Sequence, residues 1–340
     1  MLAVCALAGC VAEPRAEPRG EPGSMPGPAR GRGRPGAAAV NALCEGCHEE
    51  VAREWRGSLH RRAYVDRSFA ESLAREPDPF CRGCHAPEAD PQSPPPPALA
   101  RLGVGCVSCH VPADVVLAAP REGAGAAPHP VRRDARFATA AACGDCHEFA
   151  FPDAPPGQDR MQRTLQEHRL SAQAETSCAD CHMPKSGERR DHRFVASRDP
   201  ATLRRALVIE PRRDEAERGF LVLAPGLVGH AMPTGDLFRR LVVEAEVREG
   251  RRTVAEVTHA LGRRFEVVGD RRVPVGDDRV GAYGPLPVEL ELDFGADAVG
   301  RAIRWRVFYE RVDFVDQHGR TQVAARTLLA SGELPPPRAD

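Results

Sequence analysis
Five times in this chain a Cys-x-x-Cys pair is followed at once by His. The five are Cys44, Cys47 and His48; Cys81, Cys84 and His85; Cys106, Cys109 and His110; Cys143, Cys146 and His147; and Cys178, Cys181 and His182. Only 12 of the 340 residues are His, so the same offset five times over is not chance. The spacing is that of c-type haem attachment. Two thiols at i and i+3 reach the two vinyl groups of one haem and form thioethers. The adjacent His then stands over the iron as proximal ligand. Other readings of paired cysteines explain less. Zinc sites use such pairs two at a time, five is odd, and zinc does not need His at a constant offset. A disulfide framework leaves the His unexplained, and a thioredoxin-like site needs one pair in an α/β setting. Five covalently bound haems c are expected.

Covalent haem attachment takes place outside the cytoplasm, so an exported protein is expected, periplasmic or at the outer surface. Residues 2–10 form a short apolar stretch that contains Cys5 and ends Leu-Ala-Gly-Cys10. This resembles a bacterial lipoprotein signal in residues 1–10, with Cys10 lipidated and the chain held at a membrane, although it lacks the positively charged n-region of such a signal. Residues 11–39 are rich in Pro, Gly, Glu, Arg and Ala and have little to bury, so a disordered tether is expected. A flexible segment of this length spans roughly 30 Å. Arg30, Arg32 and Arg34 within it read as a solvated charge run. No run of 18 apolar residues exists, so no spanning helix is expected. With 47 basic and 48 acidic residues the formal charge is −1, which argues against a nucleic-acid partner bound by bulk charge.

The remainder divides in two, giving an α+β chain. Residues 40–198 carry all five motifs, about 31 residues per haem. So little chain cannot build an apolar core of its own. The haems must be the core, wrapped by short helices and loops. Helices are expected at 51–58, 67–75 and 161–171. Residues 201–334 contain no cysteine and show short β-rich runs at 206–210, 220–223, 241–247, 253–258, 265–268, 288–292, 303–309 and 323–329. Several alternate, as in Leu241-Val-Val-Glu-Ala-Glu-Val247. Strands at this spacing predict an all-β, sandwich-like domain, and residues 335–340 read as a frayed tail.

Each iron has a second axial position. Beyond the five proximal residues the histidines are His60, His129, His168, His192, His230, His259 and His318. Methionine is scarce, so bis-His ligation is the default, which gives lower potentials than Met/His ligation. Met183 and Met232 read as packing residues. Several segments resemble the multihaem cytochromes related to the tetrahaem electron acceptor of hydroxylamine oxidoreductase. They are Glu54-Trp55-Arg-Gly-Ser58-Leu-His60, His129-Pro-Val, Asp191-His192-Arg-Phe and Gly229-His230-Ala-Met-Pro-Thr-Gly. The resemblance implies distal ligation by His60, His129, His192 and His230, and ligation by His230 would staple the β domain to the haems. His168 is the remaining candidate. However, Glu167-His168-Arg-Leu-Ser171 looks like a partial repeat of Glu54-Trp55-Arg-Gly-Ser58, which puts His168 in the place of Trp55 and Gln173 opposite His60. His259 and His318 read as ordinary strand and turn residues.

Closely spaced bis-His haems carry electrons and bind no substrate. The leading expectation is an envelope electron carrier between a membrane or periplasmic donor and a terminal or extracellular acceptor, with redox proteins as partners and no catalytic residue. One alternative is a haem enzyme acting on a small nitrogen or sulfur compound at an open site. Pentahaem nitrite reductases have the same haem count, but they carry a Cys-x-x-Cys-Lys motif, which is absent here. Another alternative is a docking subunit that uses its β domain to join a larger assembly of cytochromes. Of 47 basic residues only Lys185 is Lys, and many of the arginines are expected to pair with haem propionates through bidentate contacts.

Overall fold
The computed structural model describes residues 25–29, 31, 33–122, 127–152, 160–196, 198–235, 237–269, 271–315 and 321–336. Cys5, Cys10, the rest of the apolar N-terminal stretch and His318 lie outside the described residues. The chain joins an N-terminal helical region to a C-terminal strand-rich region.

Ten short helices account for much of the first region: α1 (Ala37–Cys47), α2 (Glu49–Arg56), α3 (Arg67–Arg75), α4 (Pro79–His85), α5 (Pro97–Leu102), α6 (Cys106–His110), α7 (Ala141–His147), α8 (Thr164–Leu170), α9 (Cys178–His182) and α10 (Pro200–Arg205). Three two-stranded pieces lie among them: β1 (Val116–Ala118) with β2 (Val131–Arg133), β3 (Glu148–Ala150) with β4 (Arg160–Arg163), and β5 (Lys185–Ser186) with β6 (Arg189–Arg190). Local chemistry sets several helix starts. Asp78 accepts the Phe80 N–H at 2.8 Å with Pro79 at the first helical position, and Asp199 accepts the Thr202 N–H at 2.8 Å ahead of Pro200. Such caps satisfy donors that the first turn leaves unpaired.

Three sequence expectations are corrected here. The tether does not extend to residue 39. Pro26 is buried, the Ala29 N–H donates to the Gly83 carbonyl at 2.8 Å, and α1 begins at Ala37. Arg34 is no solvated charge. Its guanidinium pairs with Glu88 at 2.6 Å and donates to the Val107 and Val111 carbonyls. Composition concealed this because much of what orders the segment is hydrogen bonds and an ion pair to residues far along the chain. The helix expected at 161–171 opens as strand β4. The Glu148 carboxylate on β3 accepts the Gln166 N–H at 2.7 Å and so starts α8 only at Thr164.

The strand-rich region contains β7 (Leu207–Arg213), β8 (Gly219–Pro225), β9 (Arg239–Glu249), β10 (Arg252–Leu261), β11 (Arg263–Val268), β12 (Arg271–Asp277), β13 (Val288–Leu292), β14 (Ile303–Val315) and β15 (Thr321–Leu334). One sheet has the order β10-β9-β14-β15 and a second β13-β8-β7, while β11 and β12 form a hairpin. Period-two alternation puts Leu241, Val243, Ala245 and Val247 of β9 on one face. Together with Ile303, Trp305 and Val307 of β14 they pack on Leu207, Leu221, Leu223 and Leu292 of the second sheet. This is the expected sandwich. Sequence patterning missed β12, whose Pro274 sits opposite Phe265 where the register shifts. Proline is tolerated at such an irregular edge.

The buried apolar cluster in the helical region is far smaller: Ala37, Trp55, Leu102 and Val107. The two regions meet at an ion network. Arg279 on the segment after β12 pairs with Asp277 at 2.7 Å and with Glu167 of α8 at 2.6 Å, and Arg163 pairs with Asp277. Burial pushes the Asp277 carboxyl up, but Arg279, through hydrogen bonds and charge, and the charge of Arg163 outweigh it and hold its pKa below the ordinary value.

Two outcomes are expected. Leu221→Ala, at a position with no exposure, lowers unfolding stability by about 2–5 kcal/mol, the range for emptying a packed Leu site. Denaturant titration checks this, and a change under 1 kcal/mol would mean the two sheets are not packed as described. Because the folded-state pKa of Asp277 is depressed, its contribution is present above the ordinary carboxylate range and is lost as pH falls through the lowered value. The Tm difference between wild type and Asp277→Asn is therefore large at neutral pH and shrinks below about pH 4. A difference that stays constant with pH contradicts this linkage.

Candidate haem sites
Each Cys-x-x-Cys-His segment lies on a short helix: the end of α1 with His48 just beyond it, then α4, α6, α7 and α9. A helical turn puts residues i and i+3 on one face, so both thiols of each pair face the same side. Among the described residues no three His, Cys, Asp or Glu side chains converge as a site for a bare metal ion. The two thiols of the third motif also lack the environment of metal thiolates. Burial, with Cys44 and Glu45 nearby, pushes Cys106 up to about 11, and burial pushes Cys109 up to about 12. A neutral sulfur suits such a site, and a thioether is neutral.

The histidines are oriented through their backbone contacts. His85 Nδ1 lies 2.7 Å from the Ala63 carbonyl, His110 Nδ1 2.8 Å from Leu117, and His182 Nδ1 2.9 Å from Val195. His192 Nδ1 meets the Arg190 carbonyl at 2.9 Å and His230 Nδ1 that of Ala231 at 3.0 Å. A carbonyl only accepts, so each Nδ1 carries the proton and Nε2 keeps its lone pair for a metal. These acceptors are backbone groups and leave no mark in the sequence.

The rings then face one another in four pairs. His48 and His129 have ring centroids 6.3 Å apart, His60 and His147 6.2 Å, His110 and His192 6.3 Å, and His182 and His230 6.2 Å. Each pair joins one motif histidine to one of the other candidates. Two metal–imidazole bonds of about 2 Å each span about 4 Å, and the rest is the distance from ring nitrogen to ring centre on either side. The spacing therefore fits an iron held between two imidazoles. The planes are nearly crossed in the first two pairs, at 72° and 77°, tilted by 34° in the third, and nearly parallel at 7° in the fourth. Desolvation, then the charges of His147, His182 and His85, lowers His60 to about 3. Desolvation likewise lowers His230 to about 4. Both rings are thus neutral near pH 7, the form that ligates iron. His60 Nδ1 is buried without a hydrogen-bond partner, a costly arrangement for a polar atom.

His168 stands outside these pairs. Its Nε2 lies 2.9 Å from the Thr176 carbonyl and so carries a proton, and its ring abuts Gly229, where a Cβ would come within 3.1 Å of the imidazole. His85 stacks on Phe69 at 3.7 Å and 6°. His259 Nε2 lies 3.0 Å from the Glu291 carbonyl on the strand-rich region, and Met232 packs in the β core.

Neighbouring sites touch. The Cys84 side chain lies beside that of Cys146, and the Cys143 side chain beside that of Cys178. Phe194 stands edge-on to His60 at 4.3 Å and to His192 at 5.8 Å, bridging two sites. Sequence reasoning did not single out Phe194. Its φ of 51° is unusual for a bulky residue.

Residues 43–111, with the first three motifs, match the family model of cytochrome c554 and c-prime. The chain is a multihaem c-type cytochrome. No curated protein matches it in sequence. In structure this cytochrome is similar to a penta-haem cytochrome c552 from Thermochromatium tepidum, with a TM-score of 0.66 at 20% identity over 86% of this chain and 98% of that one. The likeness covers both the helical and the strand-rich regions, so the added sandwich is part of a recurring fold. The cytochrome binds haem c covalently, and electron transfer is the general activity of such proteins.

Proposed function
We propose that the chain carries five haems c, one at each Cys-x-x-Cys-His motif, and relays electrons in the cell envelope. In four of them the iron would be held by His48 with His129, His147 with His60, His110 with His192, and His182 with His230. The observation that carries this reading is the facing of those four pairs at 6.2–6.3 Å. The haem irons supply one-electron couples when bound. The chain's own part is to orient His110, His182, His192 and His230 through backbone carbonyls, to keep His60 and His230 neutral, and to hold the motifs against one another. Motif four is central, since its cysteines touch those of motifs two and five. Cys106 of motif three lies within the field of Cys44 of motif one, and Phe194 links the ligands of motifs three and four. That order supports a relay with motif one at one end and branches at motif four.

The donor is a membrane or periplasmic redox protein and the acceptor a terminal or extracellular one, with the chain exported and anchored through lipid on Cys10. No described helix is long and apolar enough to cross a membrane.

Intact-mass measurement of the matured holoprotein is expected to show five haems, and fewer would overturn the loading of every motif. Low-temperature EPR of the oxidised protein is expected to separate the pairs by ring angle. Crossed imidazole planes bring the iron d orbitals close to degeneracy and give strongly anisotropic low-spin signals. Parallel planes lift the degeneracy and give a rhombic signal. Two strongly anisotropic signals and at least one rhombic signal are expected. His60→Ala removes one of the former and His230→Ala removes a rhombic one, each with a new high-spin signal. Unchanged spectra in either variant would remove that residue from the ligand set.

A further inference from the structure
The partial repeat of Glu54-Trp55-Arg56-Gly57-Ser58 in Glu167-His168-Arg169-Leu170-Ser171 is also a repeat of contacts. The Glu54 carboxylate accepts the backbone N–H of His192 at 3.0 Å and is braced by Arg189 at 2.8 Å. The Glu167 carboxylate accepts the backbone N–H of Ala231, next to His230, at 3.3 Å and is braced by Arg279 at 2.6 Å. It also takes the Thr234 hydroxyl at 2.5 Å. One residue on, Trp55 Nε1 donates to the Val104 carbonyl at 2.8 Å and His168 Nε2 to that of Thr176 at 2.9 Å. Val104 lies two residues before Cys106, and Thr176 two residues before Cys178. Each serine then receives a backbone N–H just beyond its helix, from Arg61 at 3.2 Å and from Gln173 at 3.1 Å.

The two ends that each unit grips belong to one axial pair. His192 faces His110 of the Cys106 motif, and His230 faces His182 of the Cys178 motif. We infer that α2 and α8 are two copies of one clamp, in which a glutamate holds the distal-histidine loop and a ring N–H holds the approach to the attachment motif of the same haem. His168 is the counterpart of Trp55 and acts as a positioning residue. Its proton faces the Thr176 carbonyl, so its Nε2 has no lone pair for iron. This rests on the reading of His192 and His230 as distal ligands. The copies use different partners at the same points: Arg189 comes from the helical region, whereas Arg279 comes from the strand-rich one. The second clamp therefore also joins the two regions.

The test is EPR of the oxidised holoprotein with haem counted by mass. Glu167→Ala is expected to shift or broaden the near-parallel rhombic signal of the His182–His230 pair and leave the 34° pair as in wild type. Glu54→Ala is expected to do the reverse. His168→Gln, which keeps an N–H donor, is expected to retain the wild-type spectrum, while His168→Leu disturbs the same signal as Glu167→Ala with five haems still attached. A new high-spin haem in His168→Gln would make His168 a ligand and overturn the inference. So would glutamate variants that perturb all sites alike or none. The His230→Ala variant separates the two failures. Without a high-spin signal there, the ligand reading falls. With that signal and a silent Glu167→Ala, the clamp alone falls. Should Glu167→Ala not accumulate, the Glu54 and His168 variants decide the matter.

Discussion
An imidazole can bind iron only when it is neutral, oriented and set a fixed distance from its partner, and most of the helical region serves that constraint. Backbone carbonyls of Ala63, Leu117, Val195, Arg190 and Ala231 take the Nδ1 protons of five histidines. The small cluster around Trp55, Leu102 and Val107 cannot organise such a region alone. Hydrogen bonds and ion pairs do more of the work there: Arg34 on Glu88, Glu54 on Arg189 and His192, Glu167 on Arg279 and the His230 loop. Polar frameworks of this kind favour one geometry because each unmade bond is costly when buried.

The strand-rich region obeys a different rule. Its two sheets bury an alternating apolar face without need of a cofactor, and it is the more conventional half of the chain. Its links to the rest include His230 and the Asp277, Arg279 and Glu167 network, with Arg263 on the Met161 and Arg160 carbonyls. A buried ion network contributes little net stability compared with apolar packing, but removing one member is costly. That suits a junction whose task is to set one orientation.

The same polar framework explains where sequence reasoning succeeded and where it failed. The sandwich was legible because period-two alternation is a local pattern, evident in Leu241 to Val247. Strand β12 was hidden by Pro274, and the ordered course of residues 33–39 was hidden by a composition typical of disorder. Arg34 shows why: its partners are a carboxylate and two carbonyls far along the chain. His168 was caught between two readings, and only the Thr176 carbonyl separates them.

The sequence by itself determined the five Cys-x-x-Cys-His motifs, since such a motif needs no more than one helical turn to present its groups. It also determined that the chain passes from a helical, haem-packed half to an apolar sandwich. Tertiary structure alone decided which of the other histidines faces which motif, because the pairs join residues 48 with 129, 60 with 147, 110 with 192 and 182 with 230. No period in the sequence encodes contacts across such separations. It decided the ring angles as well, through carbonyls that every residue type carries alike.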